Sequence, residues 1–297
     1  MAQLRARRGP ASRPRRGRQD RWTGASGACI ARSRPPGTAL GGDPLLGGAL
    51  GPRPYTAAIH EAGDWAVRFL LATLAVTPLA RFSRFPKIIA VRRMLGLATL
   101  FYALAHLGLY VADQGFDLVR VASEIVRRVY LTIGFVAILG LAALGVTSTD
   151  AMIRRMGRNW TRLHALIYAI TILGLLHYFM QVKIDASQPA FHAGLFVVLI
   201  GLRLALRLKA PPTVGTALVV ALAAAPLTAG LEAGWYALAT GVDPLRVLGA
   251  NLAVDLDVGL RPALLTLIAG VAFALLAAGL AAVRGAPSPR PRKAAPG

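Results

Sequence analysis

The sequence predicts an all-α, polytopic membrane protein built as a helix bundle. Of its 297 residues, 55% are hydrophobic and 16% are charged, and the mean hydropathy is +0.54. Globular proteins carry roughly 25% charged residues. Several uninterrupted apolar stretches reach the roughly 20 residues that a helix needs to cross the hydrocarbon core. These observations exclude an ordinary soluble enzyme.

Seven segments meet or approach the length of a membrane span. Five contain no charged residue, and they cover residues 94–112, 129–149, 163–182, 210–231 and 262–283. Two weaker segments are residues 65–79, which contain Arg68, and residues 191–208. Arg203 and Arg207 lie near one end of the latter, where long basic side chains can extend to the membrane interface. The sequence therefore predicts seven spans.

The connections between these spans alternate in charge, which predicts their sides of the membrane. Cytoplasmic loops carry an excess of Lys and Arg. Three connections are strongly basic and are predicted inside, namely residues 80–93, 150–162 and 203–209, as is the basic C-terminus. The connections predicted outside are balanced or acidic, at residues 113–128, 183–190 and 243–257.

Both ends of the chain are predicted to be disordered, over residues 1–58 and 285–297. The first 37 residues contain ten arginines and one acid, Asp20, together with many Pro and Gly. Seven spans place this arm outside, against the charge rule. We therefore expect either that a further N-terminal span is missing or degenerate, or that the arm is absent from the mature protein. The net charge of +21 does not indicate nucleic-acid binding, because the arm has no interleaved aromatic residue beyond Trp22.

Common cofactor motifs are absent from the sequence. Cys29 is the single cysteine, which excludes an intramolecular disulfide and a thiolate cluster. The chain contains no GxGxxG or Walker-type loop, so it encodes no nicotinamide-binding or adenine-flavin domain of that kind. Any metal must be held by other side chains.

Three histidines, His106, His164 and His177, lie inside apolar spans. Ionisable residues at membrane depth are costly and usually mark a functional site, although a histidine hydrogen-bonded between helices is the simpler alternative. His106 lies 18 residues after the inner start of its span, and His177 lies 13 residues after the inner His164. With a rise of about 1.5 Å per residue, His106 and His177 share a level near the outer face. Two neutral imidazoles there predict the axial ligands of a b-type haem.

His164 lies near the inner face, where the sequence places no second membrane histidine. A second haem there would need an unusual ligand, a water molecule, a partner's side chain or Arg92. Thirteen residues also turn an ideal helix by about 140° away from a common face. His164 and His177 then face one neighbour only if the helix is tilted or bulged. The histidines thus predict one or two haems.

Other polar residues have two interpretations each. Glu232 lies within a GxxxG spacing, Gly230 to Gly234, and is either a proton or quinone contact or part of a helix-packing interface. Arg154, Arg155 and Arg162 either contact haem propionates or lipid phosphates, or only fix the topology.

Several of these stretches resemble one known family. They are residues 63–78 (GDWAVRFLLATLAVTP), 92–97 (RRMLGL), 102–106 (YALAH), 147–157 (TSTDAMIRRMG), 160–164 (WTRLH) and 176–178 (LHY). The region of about residues 60–208 resembles the haem-binding membrane subunits of the periplasmic protein-methionine-sulfoxide reductase system. That family is itself similar to the ferric reductase-like transmembrane domain.

The resemblance implies a ferric reductase-like transmembrane domain in which His106, His164 and His177 are the haem ligands. It also implies an oxidoreductase subunit of the bacterial inner membrane that takes electrons from the quinone pool or a reduced flavin, with FMN as a further cofactor. Its implied partner is a periplasmic molybdopterin subunit that reduces methionine sulfoxide in oxidised proteins.

The chain departs from this family at both ends. The family usually begins with a further transmembrane helix before the segment that matches Gly63, where this chain has the Arg-rich arm. Residues 210–284 add two C-terminal spans beyond the common core, which we place at residues 59–209. Within that core, four helices over about residues 88–208 are predicted to hold the haem.

Two other functions remain open from the sequence. A ferric or other metal reductase of the same superfamily would commonly carry four membrane histidines and a fused flavin and nicotinamide domain. A proton-coupled transporter would use the buried histidines and Glu232 as relays and would bind no haem.

Overall fold

The computed structural model describes residues 54–182, 184–253 and 259–283, and the elements in this part of the chain are helices. Seven helical segments there are long and apolar enough to span a membrane, which confirms the predicted class and count. The chain is therefore a multi-pass membrane protein. The spans are α1 (Pro54–Phe82), α2 (Val91–Asp113), α4 (Val129–Val146), α6 (Arg158–His164) continued by α7 (Ile167–Gln181), α8 (Ser187–Arg207), α9 (Val214–Thr240) and α11 (Pro262–Val283).

Short helices lie between several spans. They are a 3₁₀ helix at Pro86–Ala90, α3 (Leu118–Arg127), α5 (Asp150–Met156) and α10 (Pro244–Leu252). Polar side chains accept hydrogen bonds from free amide groups at the starts of α3, α5, α9 and α10, as is typical of helix N-termini. The accepting residues are Asp117, Thr149, Thr213 and Asp243. Gly157, with φ of 52°, separates α5 from α6.

Helix α1 begins earlier than the sequence indicated. It starts at Pro54, so residues 54–58, predicted as part of the disordered arm, are helical. The predicted span began only at residue 65, because His60, Glu61 and Asp64 interrupt the apolar pattern. The remaining predicted arm, residues 1–53, and the predicted tail, residues 285–297, lie outside the described residues.

The span that contains His164 and His177 is not one continuous helix. Helix α6 ends at His164, residues 165 and 166 form a turn, and α7 begins at Ile167. The amide of Leu166 donates to Leu163 at 3.0 Å, an i to i+3 bond that tightens the chain locally. The two histidines are therefore carried by two successive helical segments.

Three apolar clusters hold the described part of the bundle together. The first joins α1, α2, α4 and α7 to Leu199 of α8. The second joins α8, α9 and α11 to Phe82 of α1, mostly through alanines. The third lies between α7 and the start of α8. Small residues allow close approach of membrane helices, and Gly270 of α11 accordingly lies against Ala221 of α9. The C-terminal extension thus packs on α8.

Contacts at the two ends of the bundle agree with the predicted sides. Arg93 at the start of α2 forms an exposed ion pair with Asp150 at 3.0 Å, and both belong to connections predicted inside. At the opposite end, the Tyr236 hydroxyl accepts from the Ala186 amide at 3.0 Å and donates to the Ile184 carbonyl at 3.2 Å. Residues that the sequence predicts on the same side of the membrane therefore contact each other at the same end of the bundle.

Arg203 does not extend to the membrane interface as its position near the span end indicated. Its guanidinium reaches back into the bundle, where Nη2 donates to the Leu74 carbonyl at 2.5 Å and Nη1 to the Leu199 carbonyl at 3.3 Å. Pro78 has no N–H, so the carbonyl four residues earlier, at Leu74, lacks its helical donor. Arg203 supplies the missing donor from a different helix.

Candidate functional site

A cavity of about 330 Å³ lies between α1, α2, α4 and α7. Along α2 its lining extends from Thr99 to Asp113, about 21 Å at 1.5 Å per residue. Its deeper part is lined mainly by apolar side chains, including Leu70, Leu141 and Ile170. Polar side chains gather towards the end predicted to face outside, among them His60 and Gln181. The cavity is thus apolar within the membrane and polar at one end.

Helix α1 contributes one wall of this cavity, whereas no lining residue comes from α8. The sequence analysis placed the binding site among four helices over about residues 88–208, which includes α8 and omits α1. The described cavity therefore differs from that expectation. Helix α1 packs closely along α2 and so borders the cavity, whereas α8 packs mainly against α9 and α11.

His106 and His177 both line the cavity and face each other across it. Their ring centroids are 6.1 Å apart and their ring planes are perpendicular. His106 is carried by α2 and His177 by α7, and each ring is largely enclosed by the bundle. The structure therefore brings together the two histidines that depth arithmetic placed at one level.

Each of these imidazoles is hydrogen-bonded to a backbone carbonyl of a neighbouring helix. His106 Nδ1 lies 2.8 Å from the Ile59 carbonyl of α1, and His177 Nδ1 lies 2.8 Å from the Tyr130 carbonyl of α4. Because a carbonyl only accepts, Nδ1 of each neutral ring carries the proton and Nε2 is left with a free lone pair. A hydrogen bond of this kind fixes the tautomer and orients a metal-binding histidine.

His164 lies apart from this pair and does not line the cavity. Its Nε2 is 3.2 Å from the Thr147 hydroxyl, and its ring stacks on Trp160 with a centroid distance of 4.0 Å. Trp160 in turn donates to the Thr147 carbonyl at 2.9 Å. In this structure the Nε2 atom of His164 therefore has a protein partner.

Of the arginines predicted near an inner site, Arg92 lies close enough to His164 to interact with it electrostatically. Arg154, Arg155 and Arg162 are exposed, and Arg92 is half-buried. Exposed guanidinium groups at the basic face suit lipid phosphates or a role in topology. None of the four lines the cavity.

Glu232 is fully buried in the C-terminal extension and also lies outside the cavity. Its Oε2 accepts from Asn251 Nδ2 at 2.6 Å, and its Oε1 lies 3.8 Å from Arg261 Nη1. Asn251 also accepts from the Ala263 amide at 3.3 Å. The carboxylate therefore connects α9 to α10 and to the start of α11.

The GxxxG spacing around Glu232 does not mark a close helix contact. Among the described residues, a Cβ atom placed on Gly230 or Gly234 would meet nothing within 4 Å. The contacts of this segment with neighbouring elements are made by the Glu232 carboxylate, which meets Asn251 and Arg261.

We expect Glu232→Gln to be tolerated and Glu232→Ala to destabilise the protein. Glutamine keeps an oxygen acceptor for Asn251. Alanine leaves one of the two Nδ2–H groups of Asn251 unpaired, since the amide retains only its bond to the Val247 carbonyl at 3.1 Å, at a cost of about 1–3 kcal/mol. Thermal unfolding in detergent measures both variants, with Thr240→Ala at the exposed end of α9 as a control. Equal losses for Glu232→Gln and Glu232→Ala would contradict an anchoring role through Asn251.

The sequence analysis missed the two accepting carbonyls. Ile59 and Tyr130 were not singled out, since a backbone acceptor leaves no residue-type signature. The spacing carries a signal in retrospect, because each carbonyl lies 47 residues before its histidine.

Comparisons with known proteins agree with this architecture. Residues 62–175 match the family model described as the ferric reductase like transmembrane component. The protein-methionine-sulfoxide reductase heme-binding subunit MsrQ of Xanthomonas euvesicatoria pv. vesicatoria is 46% identical over 166 residues, which cover 56% of this chain and 76% of that protein. The subunit of the same name from Rhodospirillum rubrum is 42% identical over 162 residues, covering 54% of this chain and 78% of that protein.

No solved structure gives a significant match to this chain. These two relatives are nevertheless covered over more than three quarters of their length, at 46% and 42% identity. Together with the seven spans and the matched transmembrane component, this shows that the chain belongs to the MsrQ family of the ferric reductase-like transmembrane superfamily.

Proposed function

We propose that this chain is a haem b-binding electron-transfer subunit of the cell inner membrane. It takes electrons from the quinone pool or a reduced flavin and delivers them outward to a periplasmic, molybdopterin-containing methionine-sulfoxide reductase. It is an oxidoreductase subunit, while sulfoxide reduction takes place on its partner. The product of the whole system is a repaired protein, since reduction restores an apolar methionine from its polar sulfoxide.

The facing imidazoles of His106 and His177 carry this proposal. Imidazole–metal bonds are about 2 Å long and the ring centre lies about 1 Å beyond the nitrogen, so two axial imidazoles on one iron have centroids about 6 Å apart. The observed separation is 6.1 Å. Both Nε2 atoms have free lone pairs, because both Nδ1 atoms donate to carbonyls.

The rest of the cavity has the chemistry that a haem requires. Its apolar walls suit a macrocycle, and its polar outer end suits two propionates. A bound haem b supplies a reversible one-electron Fe(III)/Fe(II) couple at this level. The chain's own contribution is to hold both imidazoles in one tautomer, to exclude water with the apolar walls, and to keep the site near the outer face.

His164 is the candidate ligand of a second, inner haem, with Arg92 as its neighbour on α2. Its present bond to Thr147 favours a single haem at the outer pair. FMN enters the proposal as the reduced-flavin donor at the inner face. There the exposed Arg154, Arg155 and Arg162 offer guanidinium groups to phosphate oxygens.

We place the haem-binding core within residues 59–209 and treat residues 210–284 as a membrane extension that supports it. For Glu232 we favour anchoring over a proton or quinone contact. Its carboxylate is fully buried and faces Asn251 and Arg261, which supports the anchoring role.

A metal reductase of the same superfamily is the second candidate function. The match to the ferric reductase like transmembrane component supports this candidate. It would use the same histidine pair and differ in its electron acceptor. Rapid oxidation of the reduced protein by ferric chelates, but not by the catalytic subunit, would favour it.

Purification in detergent, followed by absorption spectra before and after dithionite, tests the proposal. We expect a sharp reduced b-type α band and about one haem per chain by pyridine haemochrome. Reoxidation by the purified catalytic subunit and methionine sulfoxide should follow. A colourless, monodisperse protein that haem cannot reconstitute would overturn the redox function and leave the transporter hypothesis.

A further inference from the structure

The two histidine sites are built from the same parts in the same order. A helix supplies an accepting carbonyl, a glycine follows four residues later, and the histidine lies on the next long span, 47 residues after the carbonyl. Ile59, Gly63 and His106 form one set. Tyr130, Gly134 and His177 form the other. The cavity is thus enclosed by two equivalent helix pairs, α1 with α2 and α4 with α7.

The glycines lie where each imidazole approaches its carbonyl. A carbonyl inside a helix points along the axis towards the amide of the residue four positions later. The side chain of that later residue therefore borders the route by which a ring from another helix reaches the oxygen. In both sets this residue is a glycine.

A side chain at either position would meet the imidazole. A Cβ atom on Gly134 would lie 2.7 Å from His177 Nδ1 and 2.8 Å from its Cε1. A Cβ atom on Gly63 would lie 3.0 Å from His106 Nδ1 and 3.2 Å from its Cε1. Separations below 3.0 Å require a shift of the ring, so the position at Gly134 is the tighter of the two.

We propose that Gly63 and Gly134 are positioning residues that seat the imidazoles of His106 and His177 against the Ile59 and Tyr130 carbonyls. We call each set of a glycine and an accepting carbonyl, Gly63 with Ile59 and Gly134 with Tyr130, a seat. The two seats hold both Nε2 atoms towards the cavity and keep the ring planes perpendicular. This inference rests on the proposed haem function. According to this inference, Gly63 and Gly134 set the orientation of the His106 and His177 imidazoles, although neither glycine binds the haem.

The seats also affect the electronic character of the ligands. An Nδ1–H that donates to a carbonyl makes its imidazole a stronger base towards a metal, which favours the ferric state. Displacing the ring from the carbonyl weakens this bond. The reduction potential of the site should then rise, and its metal affinity should fall by about 10- to 100-fold, as is typical when such outer partners are lost.

Alanine variants of the full-length protein test the seats, with two glycine controls. Gly201→Ala on α8 would place its Cβ 2.7 Å from Val220 Cγ1, and neither residue lines the cavity, so it has a similar steric cost without an imidazole. Gly108→Ala on α2 meets nothing within 4 Å. The measurements are haem per chain, the low-spin electron paramagnetic resonance (EPR) spectrum and the midpoint potential.

We expect Gly134→Ala to reduce haem retention by about 10- to 100-fold. Gly63→Ala should keep its haem with a changed low-spin signal and a raised potential. Gly201→Ala should lower thermal stability with an unchanged signal and potential, and Gly108→Ala should match the wild type. If Gly134→Ala and Gly201→Ala gave the same haem content, signal and potential, the positioning role of the glycines would be refuted. Haem in the wild type would still leave the proposed function intact.

A double variant separates seating from folding. Replacing His177 by alanine removes the ring that Gly134 faces, so Gly134→Ala should then add no further loss of monodispersity or melting temperature. If Gly134→Ala destabilised the His177→Ala protein as much as the wild type, the glycine would serve helix packing and the proposal would fail. If the wild type itself held no haem, the proposed function would fail first.

Discussion

His106→Ala and His177→Ala should each abolish the b-type absorption band of the purified protein. Each variant leaves only one ring of the facing pair, whose centroids are 6.1 Å apart. The hydrogen bond to Ile59 or Tyr130 is lost in the same step. We expect haem per chain to fall to background, measured by pyridine haemochrome on protein that elutes as a monodisperse peak.

Two further histidines provide controls for this result. His192 is buried, yet its Nδ1 bonds to the Gln188 carbonyl of its own helix at 2.8 Å and it does not line the cavity. His192→Ala and His164→Ala should therefore retain the outer haem. Added imidazole should partly restore the band of His177→Ala by filling the vacated space. Full haem spectra in both the His106 and His177 variants would show that the pairing is wrong.

Arg203→Leu should destabilise the bundle strongly, and Pro78→Ala should remove most of that effect. The leucine variant leaves the Leu74 carbonyl without a donor inside the membrane, at a cost of about 1–3 kcal/mol. An alanine at residue 78 restores the backbone N–H that α1 lacks. The carbonyl is then satisfied within its own helix and Arg203 becomes dispensable.

A double-mutant cycle with thermal unfolding in detergent measures this coupling. We expect the cost of Arg203→Leu in the Pro78→Ala background to be smaller by about 0.5–3 kcal/mol, the range found for residues that share a partner. Arg207→Leu, one turn later and exposed, should behave the same in both backgrounds. Equal costs of Arg203→Leu with and without Pro78 would show that the arginine acts through other contacts, such as its position over Tyr168.

The sequence predicted the spans, which basic connections lie at one end of the bundle, and the level shared by His106 and His177. Those properties depend on hydropathy, loop charge and helical rise, which are local quantities. The first turns of α1, which carry part of the cavity wall, were missed because their polar residues interrupt the apolar pattern. The seats at Gly63 and Gly134 were missed because they depend on which helices become neighbours.

The difference between local and long-range properties also explains why the sequence did not predict the role of Arg203 or the break between α6 and α7. Arg203 is ordinary for a helix end by sequence, and its role emerges only when α8 lies beside the proline of α1. The turn at residues 165 and 166 carries no proline or glycine that would have marked it. Long-range contacts, unlike periodicity, leave little trace in a single sequence.

The cross-helix placement of the two imidazoles has a consequence for how the bundle opens. Each ring is carried by one helix and tethered to another, so α1 is fastened to α2 and α4 to α7 through side chains at the same level. A ligand that bridged both Nε2 atoms would join the two fastened pairs at one point. Separating any one of the four helices would then require breaking that bridging contact. Local unfolding of one helix would therefore become cooperative unfolding of all four helices.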